Sequence, residues 1–230
     1  MKTAVITGGS GAIGEALVKE FAKDYRVIFT YNTGKEKADE IADKYCAEAF
    51  CCDVTDYERI EELKRLTNSC DLLINNAGIS QIQLFTDITP QEWRNMIDVN
   101  LNGAFNMTHV LLPMMIKQKH GNIINISSVW GVHGASCEVH YSAAKAGLIG
   151  FTKALAKEVG ISGVRVNAIA PGVIESNMNG HLTEEELETL KDGTPLVKIG
   201  TPYDVAQAAR YLAEAEFVTG QILGVDGGFY

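Results

Sequence analysis

Residues 2–14, Lys-Thr-Ala-Val-Ile-Thr-Gly-Gly-Ser-Gly-Ala-Ile-Gly, run an apolar strand into a glycine-rich turn and then into a helix starting near Ile13. A chain that opens this way is committed to a βαβ unit. Parallel strands need a long crossover between them, and that crossover is most often a helix packed on the sheet. The rest of the sequence keeps the same alternation. Apolar runs predict strands at Ala4–Thr7, Arg26–Thr30, Ala47–Cys52, Leu72–Asn75, Gly121–Ser127, Val164–Ala170 and Ile222–Val225. Helical patterns fall between them at Ile13–Lys23, Lys35–Lys44, Tyr57–Leu66, Pro90–Lys117, Val139–Val159 and Tyr203–Ala213. The expected fold is α/β: a Rossmann-type doubly wound sheet of about seven parallel strands with helices on both faces. With 230 residues, 46% of them hydrophobic, and no repeat or linker, the chain is expected to form a single domain over residues 1–230.

The first turn has the chemistry of a phosphate cradle. Gly8, Gly9 and Gly11 permit a tight turn and close backbone approach, and Ser10 adds a hydroxyl. The helix that follows, entered at Ile13, points unpaired N–H groups and a positive dipole end at any anion seated there. Farther along, Thr89, Pro90 and Glu92 form a capping box that fixes the start of the Pro90–Lys117 helix. Asn100 lies within it in the mainly apolar run Met96-Ile-Asp-Val-Asn-Leu101, where a buried amide must find partners.

Tyr141 and Lys145 are four residues apart in a stretch of small and apolar residues, and Ser128 precedes the tyrosine by thirteen. On a helix, positions i and i+4 share a face, so a phenol and an ammonium can meet in one cavity. A tyrosine of pKa about 10 exchanges protons poorly near neutrality. A positive charge at ~4 Å, with an effective dielectric of ~20, is worth roughly 4 kcal/mol in favour of phenolate before burial opposes it. Ser128 would then hold a substrate oxygen while charge develops on it.

Taken together the motifs resemble the short-chain dehydrogenase/reductase family, and along nearly the whole chain its bacterial 3-oxoacyl-acyl-carrier-protein reductases. Thr7-Gly-Gly-Ser-Gly-Ala-Ile-Gly14 is similar to the family's glycine loop, with Ala12 in place of its middle glycine. Asn75-Asn76-Ala77-Gly78 resembles the fourth-strand motif, and Pro171-Gly172 with Ile174 the segment that meets the nicotinamide. Thr219–Gly228 resembles the last strand, and the chain looks trimmed at Thr67–Cys70 and Ala213–Phe217. The resemblance implies hydride transfer from a reduced nicotinamide to a ketone. Tyr141 is then the proton donor, Lys145 lowers its pKa and binds the ribose, Ser128 binds the carbonyl, and Asn100 supports a proton relay. It also implies dinucleotide contacts at Gly8, Gly9, Ser10, Gly11, Ile13, Asn76, Ala77, Gly78, Tyr141, Lys145, Pro171, Gly172 and Ile174, with Asp53 and Val54 bordering the adenine.

Cofactor choice turns on the end of the second strand. No acidic residue stands there to bind a ribose 2′-hydroxyl; Tyr31 occupies that place, and Asn32, Thr33 and Lys35 can donate to a phosphate. NADP(H) is therefore favoured over NAD(H), although Gly11 replaces a basic residue common in NADP-using relatives. The expected substrate is a ketone carried as a 3-oxoacyl thioester on acyl-carrier protein, in fatty acid biosynthesis. Trp130 and Glu138, close to the serine and the tyrosine, support an alternative by charge and π contact: the aminopentanone-modified lysine of elongation factor P. A catalytically inactive dinucleotide-binding regulator is a third reading, disfavoured because the Tyr/Lys pair is kept. Ile174–Lys198, with a second capping box at Thr183-Glu-Glu-Glu186, reads as a helical lid.

Net charge is −9 and the pI near 5.1, which argues against nucleic acid and anionic membranes as partners. With no signal-like segment and no apolar stretch of ~20 residues, a cytoplasmic protein is expected. The five cysteines read as reduced thiols, and neither they nor the five histidines have metal-binding spacing, so no metal is expected. Arg94, Lys117, Lys119 and Arg165 are candidates for an acidic carrier only by charge. Small residues on the long helices, Ala143, Ala144, Ala146, Gly147 and Gly150, together with the family likeness, imply a homotetramer or homodimer.

Overall fold

The computed structural model describes residues 1–175 and 184–229. Seven strands, β1 (Lys2–Ile6), β2 (Tyr25–Tyr31), β3 (Glu48–Cys51), β4 (Leu72–Asn75), β5 (Gly121–Ile126), β6 (Val164–Pro171) and β7 (Ile222–Val225), form one parallel sheet in the order β3-β2-β1-β4-β5-β6-β7. The order reverses between β1 and β4. At such a switch point the loops leaving the carboxyl ends of neighbouring strands diverge and open a crevice.

Alternate residues of each strand serve opposite layers, which is why the strands read as continuous apolar runs. Phe29, Ile74, Ile124 and Ile169 pack under α1 (Ala12–Phe21), α2 (Lys35–Tyr45) and α9 (Pro202–Glu214). Ile28, Leu73, Ile123 and Val166 face α3 (Tyr57–Leu66), α5 (Gly103–Gln118) and α7 (Val139–Val159). Buried polar residues stitch the second layer: Asn75 Nδ2 donates to Thr108 Oγ1 at 3.1 Å and Asn125 Oδ1 at 2.8 Å, and Asn125 Nδ2 to Thr152 Oγ1 at 2.8 Å. Among the described residues no helix is long and apolar enough to cross a membrane.

Expected strand and helix ends fall within two residues of those observed, with one correction. The expected single helix Pro90–Lys117 is three pieces: α4 (Pro90–Ile97), a π turn at Asp98–Asn102, and α5. The Gly103 N–H closes the wide turn on the Asp98 carbonyl, and a Cβ on Gly103 would lie 2.5 Å from Val54 Cγ2. One extra residue in the turn thus rotates Asn100 inward, a use of π-bulges often met at functional sites. The Thr89 capping box is present, with the Glu92 N–H on Thr89 Oγ1 at 3.2 Å and the Thr89 N–H on Glu92 Oε2 at 2.8 Å. A second box, Thr201 with Asp204, starts α9. Shorter pieces are α6 (Val129–His133), α8 (Glu184–Asp192) and 3-10 turns at Phe85–Asp87 and Gly160–Ser162. The first part of the expected lid, 176–183 with the Thr183 cap, lies outside the described residues.

Candidate active site

Four expected catalytic residues converge beyond the carboxyl ends of β4 and β5. Ser128 leaves β5 as the N-cap of α6, its Oγ accepting the Trp130 N–H at 3.2 Å. Tyr141 and Lys145 occupy successive turns of α7, and the Lys145 Nζ stands over the Tyr141 ring, 5.6 Å from its centroid. Lys145 is buried and donates to the Ile126 carbonyl at 2.9 Å. Two close approaches hold α7 here: the Ser127 Oγ donates to the Lys145 carbonyl at 3.0 Å, and Gly131 packs so tightly that a Cβ would lie 2.7 Å from Lys145 C.

Asn100 bonds both its own helix and the neighbouring loop. Its Nδ2 donates to the Met96 carbonyl at 3.0 Å and to the Ile79 carbonyl at 2.9 Å, while Oδ1 accepts the Ile79 N–H at 3.3 Å. The space between Asn100 and Lys145 is kept by Gly78. A Cβ there would sit 2.6 Å from Asn100 Oδ1 and 3.3 Å from Lys145 Nζ.

Burial dominates the electrostatics. It pushes the Lys145 ammonium down to about 8 and the Tyr141 phenol up to about 12. A hydrogen bond with Ser128 opposes the tyrosine's rise, and the Glu138 carboxylate adds to it. The sequence-based expectation that the lysine draws the tyrosine below 10 is thus outweighed: desolvation penalises the phenolate and weakens the cation that would stabilise it. The consequence is a tyrosine that holds its proton at neutral pH.

The glycine turn lies beside this set, across the switch point. Thr7 Oγ1 accepts the N–H groups of Asn76 and Ala77, at 2.9 Å each, and Asn76 Nδ2 returns bonds to the carbonyls of Thr7 and Gly8 at 3.0 and 3.1 Å. This clasp joins the ends of β1 and β4. Gly8 adopts φ +65, and a Cβ on Gly14 would meet the Gly8 carbonyl oxygen at 2.1 Å, so two of the glycines are dictated by the turn itself. Gly11 is the N-cap of α1 and supplies no side-chain cap. Ser10 and Ile13 flank it at the mouth of the helix. Ala12 is the first residue of α1 and is not among the positive-φ residues, so its methyl sits in ordinary helical backbone.

At the far end of the crevice Asn32 Nδ2 donates to Asp53 Oδ2 at 3.0 Å, tying β2 to the loop that carries Val54. Lys35 is paired with Asp39 of its own helix at 2.6 Å, both largely exposed. On the other side Pro171 ends β6, the Gly172 N–H donates to the Val225 carbonyl at 3.0 Å, and Ile174 bridges to Gly200. These contacts bring Asn100, Ser128, Tyr141 and Lys145 together and set the glycine turn against Asn76 and Ala77, whereas Arg165 stands elsewhere. Its guanidinium caps the carbonyls of Leu212 and Ala213 at 2.8 and 2.9 Å, beside the amino end of β6.

The family model for short chain dehydrogenases matches residues 2–187. The chain belongs to the short-chain dehydrogenase family. It is 38% identical over 238 aligned positions to the 3-oxoacyl-[acyl-carrier-protein] reductase FabG of Thermotoga maritima, covering 99% of this chain and 97% of that one. It is 37% identical to the uncharacterized oxidoreductase YmfI of Bacillus subtilis, covering 100% of this chain and 99% of that protein. A crystal structure of a 3-oxoacyl-[acyl-carrier protein] reductase from Brucella melitensis superposes with a TM-score of 0.93 at 34% identity, over 99% of this chain and 90% of that one.

Membership in this oxidoreductase family implies a nicotinamide dinucleotide, and the crevice fits one. The uncapped start of α1, the side-chain-free Gly11 and Gly78, and the proximity of Lys145 suit a pyrophosphate at one end and a ribose at the other. Among the described residues no group of three or more His, Cys, Asp or Glu is placed to hold a metal. Sequence reasoning missed the Thr7 clasp and Gly131, and it expected the Phe229-Tyr230 end near a subunit interface without foreseeing that the half-buried Phe229 meets Trp130. Thr7 carried a signal, since a hydroxyl at a strand end can bind loop N–H groups; Gly131 and the Trp130–Phe229 contact carried none without the fold.

Proposed function

We propose that this protein is an NADPH-dependent ketone reductase acting on a 3-oxoacyl thioester of acyl-carrier protein, in the cytoplasm, with residues 1–230 as one catalytic domain. The observation that carries the reading is the convergence of Ser128, Tyr141, Lys145 and Asn100 at the switch-point crevice. A nicotinamide dinucleotide held beside Lys145 and the glycine turn would supply the hydride. Ser128 and Tyr141 hold the substrate carbonyl, and Tyr141 keeps its proton until the oxygen becomes an alkoxide, a far stronger base than phenolate. Lys145 offsets the negative charge left on the tyrosine, and Asn100 holds the loop at Ile79 against it. Full-length likeness to 3-oxoacyl-[acyl-carrier-protein] reductases supports the thioester. The absence of an acidic residue at Tyr31 and Asn32 supports NADPH, and the exposed Lys35–Asp39 pair is cheap to break for a 2′-phosphate. Phe105 and Ile116, exposed on α5, and Gly150, with open space beside it on α7, support a homotetramer or homodimer, for which light scattering at micromolar concentration is the check.

A second reading, a ketone bearing an amine such as the aminopentanone-modified lysine of elongation factor P, is favoured by Glu138. Its carboxylate raises the pKa of Tyr141, an effect that a substrate ammonium beside it would cancel. Oxidation of NADPH and NADH with a 3-oxoacyl thioester and a small amino-ketone in parallel decides between them. Faster NADPH-dependent turnover of the thioester supports the first reading. Preference for the amino-ketone, lost in Glu138→Gln, supports the second.

A further inference from the structure

The end of the chain touches three parts of the site at once. Past β7 the backbone reverses through Gly227 (φ +68) and Gly228 (φ +81), held by the Gly228 N–H on Asp226 Oδ1 at 2.8 Å. Left-handed backbone at both positions admits glycine without strain. Asp226 packs on the nicotinamide-side segment, where a Cβ on Gly172 would lie 2.8 Å from Asp226 Cα. The Gly227 carbonyl accepts the Leu196 N–H at 3.2 Å, and a Cβ on Gly228 would lie 3.1 Å from Pro195 Cγ, so the same turn holds the segment following α8. The Phe229 ring then meets Trp130 edge-on, with centroids 5.7 Å apart and planes at 73°. Its Cε2 is 3.3 Å from where a Cβ on Gly193 would stand. Trp130 is the residue whose backbone N–H binds Ser128 Oγ.

We propose that Phe229 is a positioning residue: its ring, seated between Trp130 and Gly193, locks the foot of α8 to the serine-bearing helix and so sets how tightly substrate is held. Edge-to-face aromatic contact is directional, and a Cβ on Gly193 would stand 3.3 Å from the ring, a close contact that the glycine relieves. The ring has no part in hydride or proton transfer. Its effect is on the position of the segment after α8, where Leu196 and Val197 are exposed and the hydroxyl of Thr194 bonds the Lys191 and Lys198 carbonyls of its own segment. The inference rests on the ketone-reductase reading of the site.

The test uses a Trp93→Phe background, in which Trp130 is the remaining tryptophan. Phe229→Ala is expected to raise KM for the thioester about tenfold with kcat and dinucleotide affinity within about twofold of the parent, and Phe229→Tyr to restore KM. Trp130 emission should shift to the red in Phe229→Ala and return in Phe229→Tyr. An unchanged KM, or dinucleotide affinity falling in step with KM, overturns the proposal. If the parent reduces no ketone, the functional reading fails by itself, and hydrogen exchange decides the lock. Faster exchange of the Leu196 amide in Phe229→Ala, with Val5 and Ile123 unchanged, upholds it, and an unchanged Leu196 amide overturns it.

Discussion

Replacing Lys145 by methionine should abolish turnover and yet stabilise the fold at neutral pH. The lysine is 4% exposed, bonded through Nζ to one carbonyl, and burial lowers its pKa from 10.5 to about 8. At roughly 1.4 kcal/mol per pH unit, holding this ammonium in the folded protein costs roughly 3 kcal/mol at pH 7. Methionine has similar length and no charge. Leaving the Ile126 carbonyl without this donor returns about 1 kcal/mol, for a net gain of about 2 kcal/mol. The sign depends on pH. Below pH 8 both folded and unfolded chains carry the proton, and the cost to the parent is whole. Between pH 8 and 10.5 the unfolded chain binds more protons than the folded one, so the parent gains stability on the variant as pH rises. Urea unfolding of both proteins at equal concentration, at pH 7 and at pH 9.5, measures the gap directly. A variant less stable than the parent at pH 7, or a gap that does not narrow at pH 9.5, would refute the reasoning.

Two further changes probe the scaffold. Gly14→Ala places a methyl 2.1 Å from the Gly8 carbonyl oxygen and should cost about 3 kcal/mol and dinucleotide binding, whereas Gly160→Ala, with nothing within 4 Å and helical backbone, should leave stability equal or slightly raised; thermal melts compare them. His140 is fully buried beside Tyr141, and neither ring nitrogen has a partner among the described residues. Burial lowers its pKa below 6.5, against the opposing pull of Glu92. The unfolded chain then binds the extra proton first, so stability should fall as pH drops below 6.5, by up to about 1.4 kcal/mol per pH unit, and His140→Leu should flatten that fall in urea titrations.

Elements set by local chemistry are legible in the sequence. Thr89, Pro90 and Glu92 announce a helix start because capping is a contact between residues three apart. The strands are legible as apolar runs because both faces of the sheet are covered. The meeting of Tyr141 and Lys145 is legible because residues four apart share one helix face. What escapes is non-local. The π turn at Asp98–Asn102 follows from packing of Gly103 on Val54 and of Asn100 on Ile79, neither of which helix propensity encodes. The state of Tyr141 follows from depth of burial, which reverses the sign expected from the lysine alone. Trp130 and Phe229 meet only through the fold.

The most direct measurement is NADPH oxidation by purified Tyr141→Phe alongside the parent, with a 3-oxoacyl thioester, and dinucleotide binding followed in the same samples. The account predicts loss of turnover with nearly unchanged binding, since only the proton donor is removed. Turnover in Tyr141→Phe equal to that of the parent would contradict it.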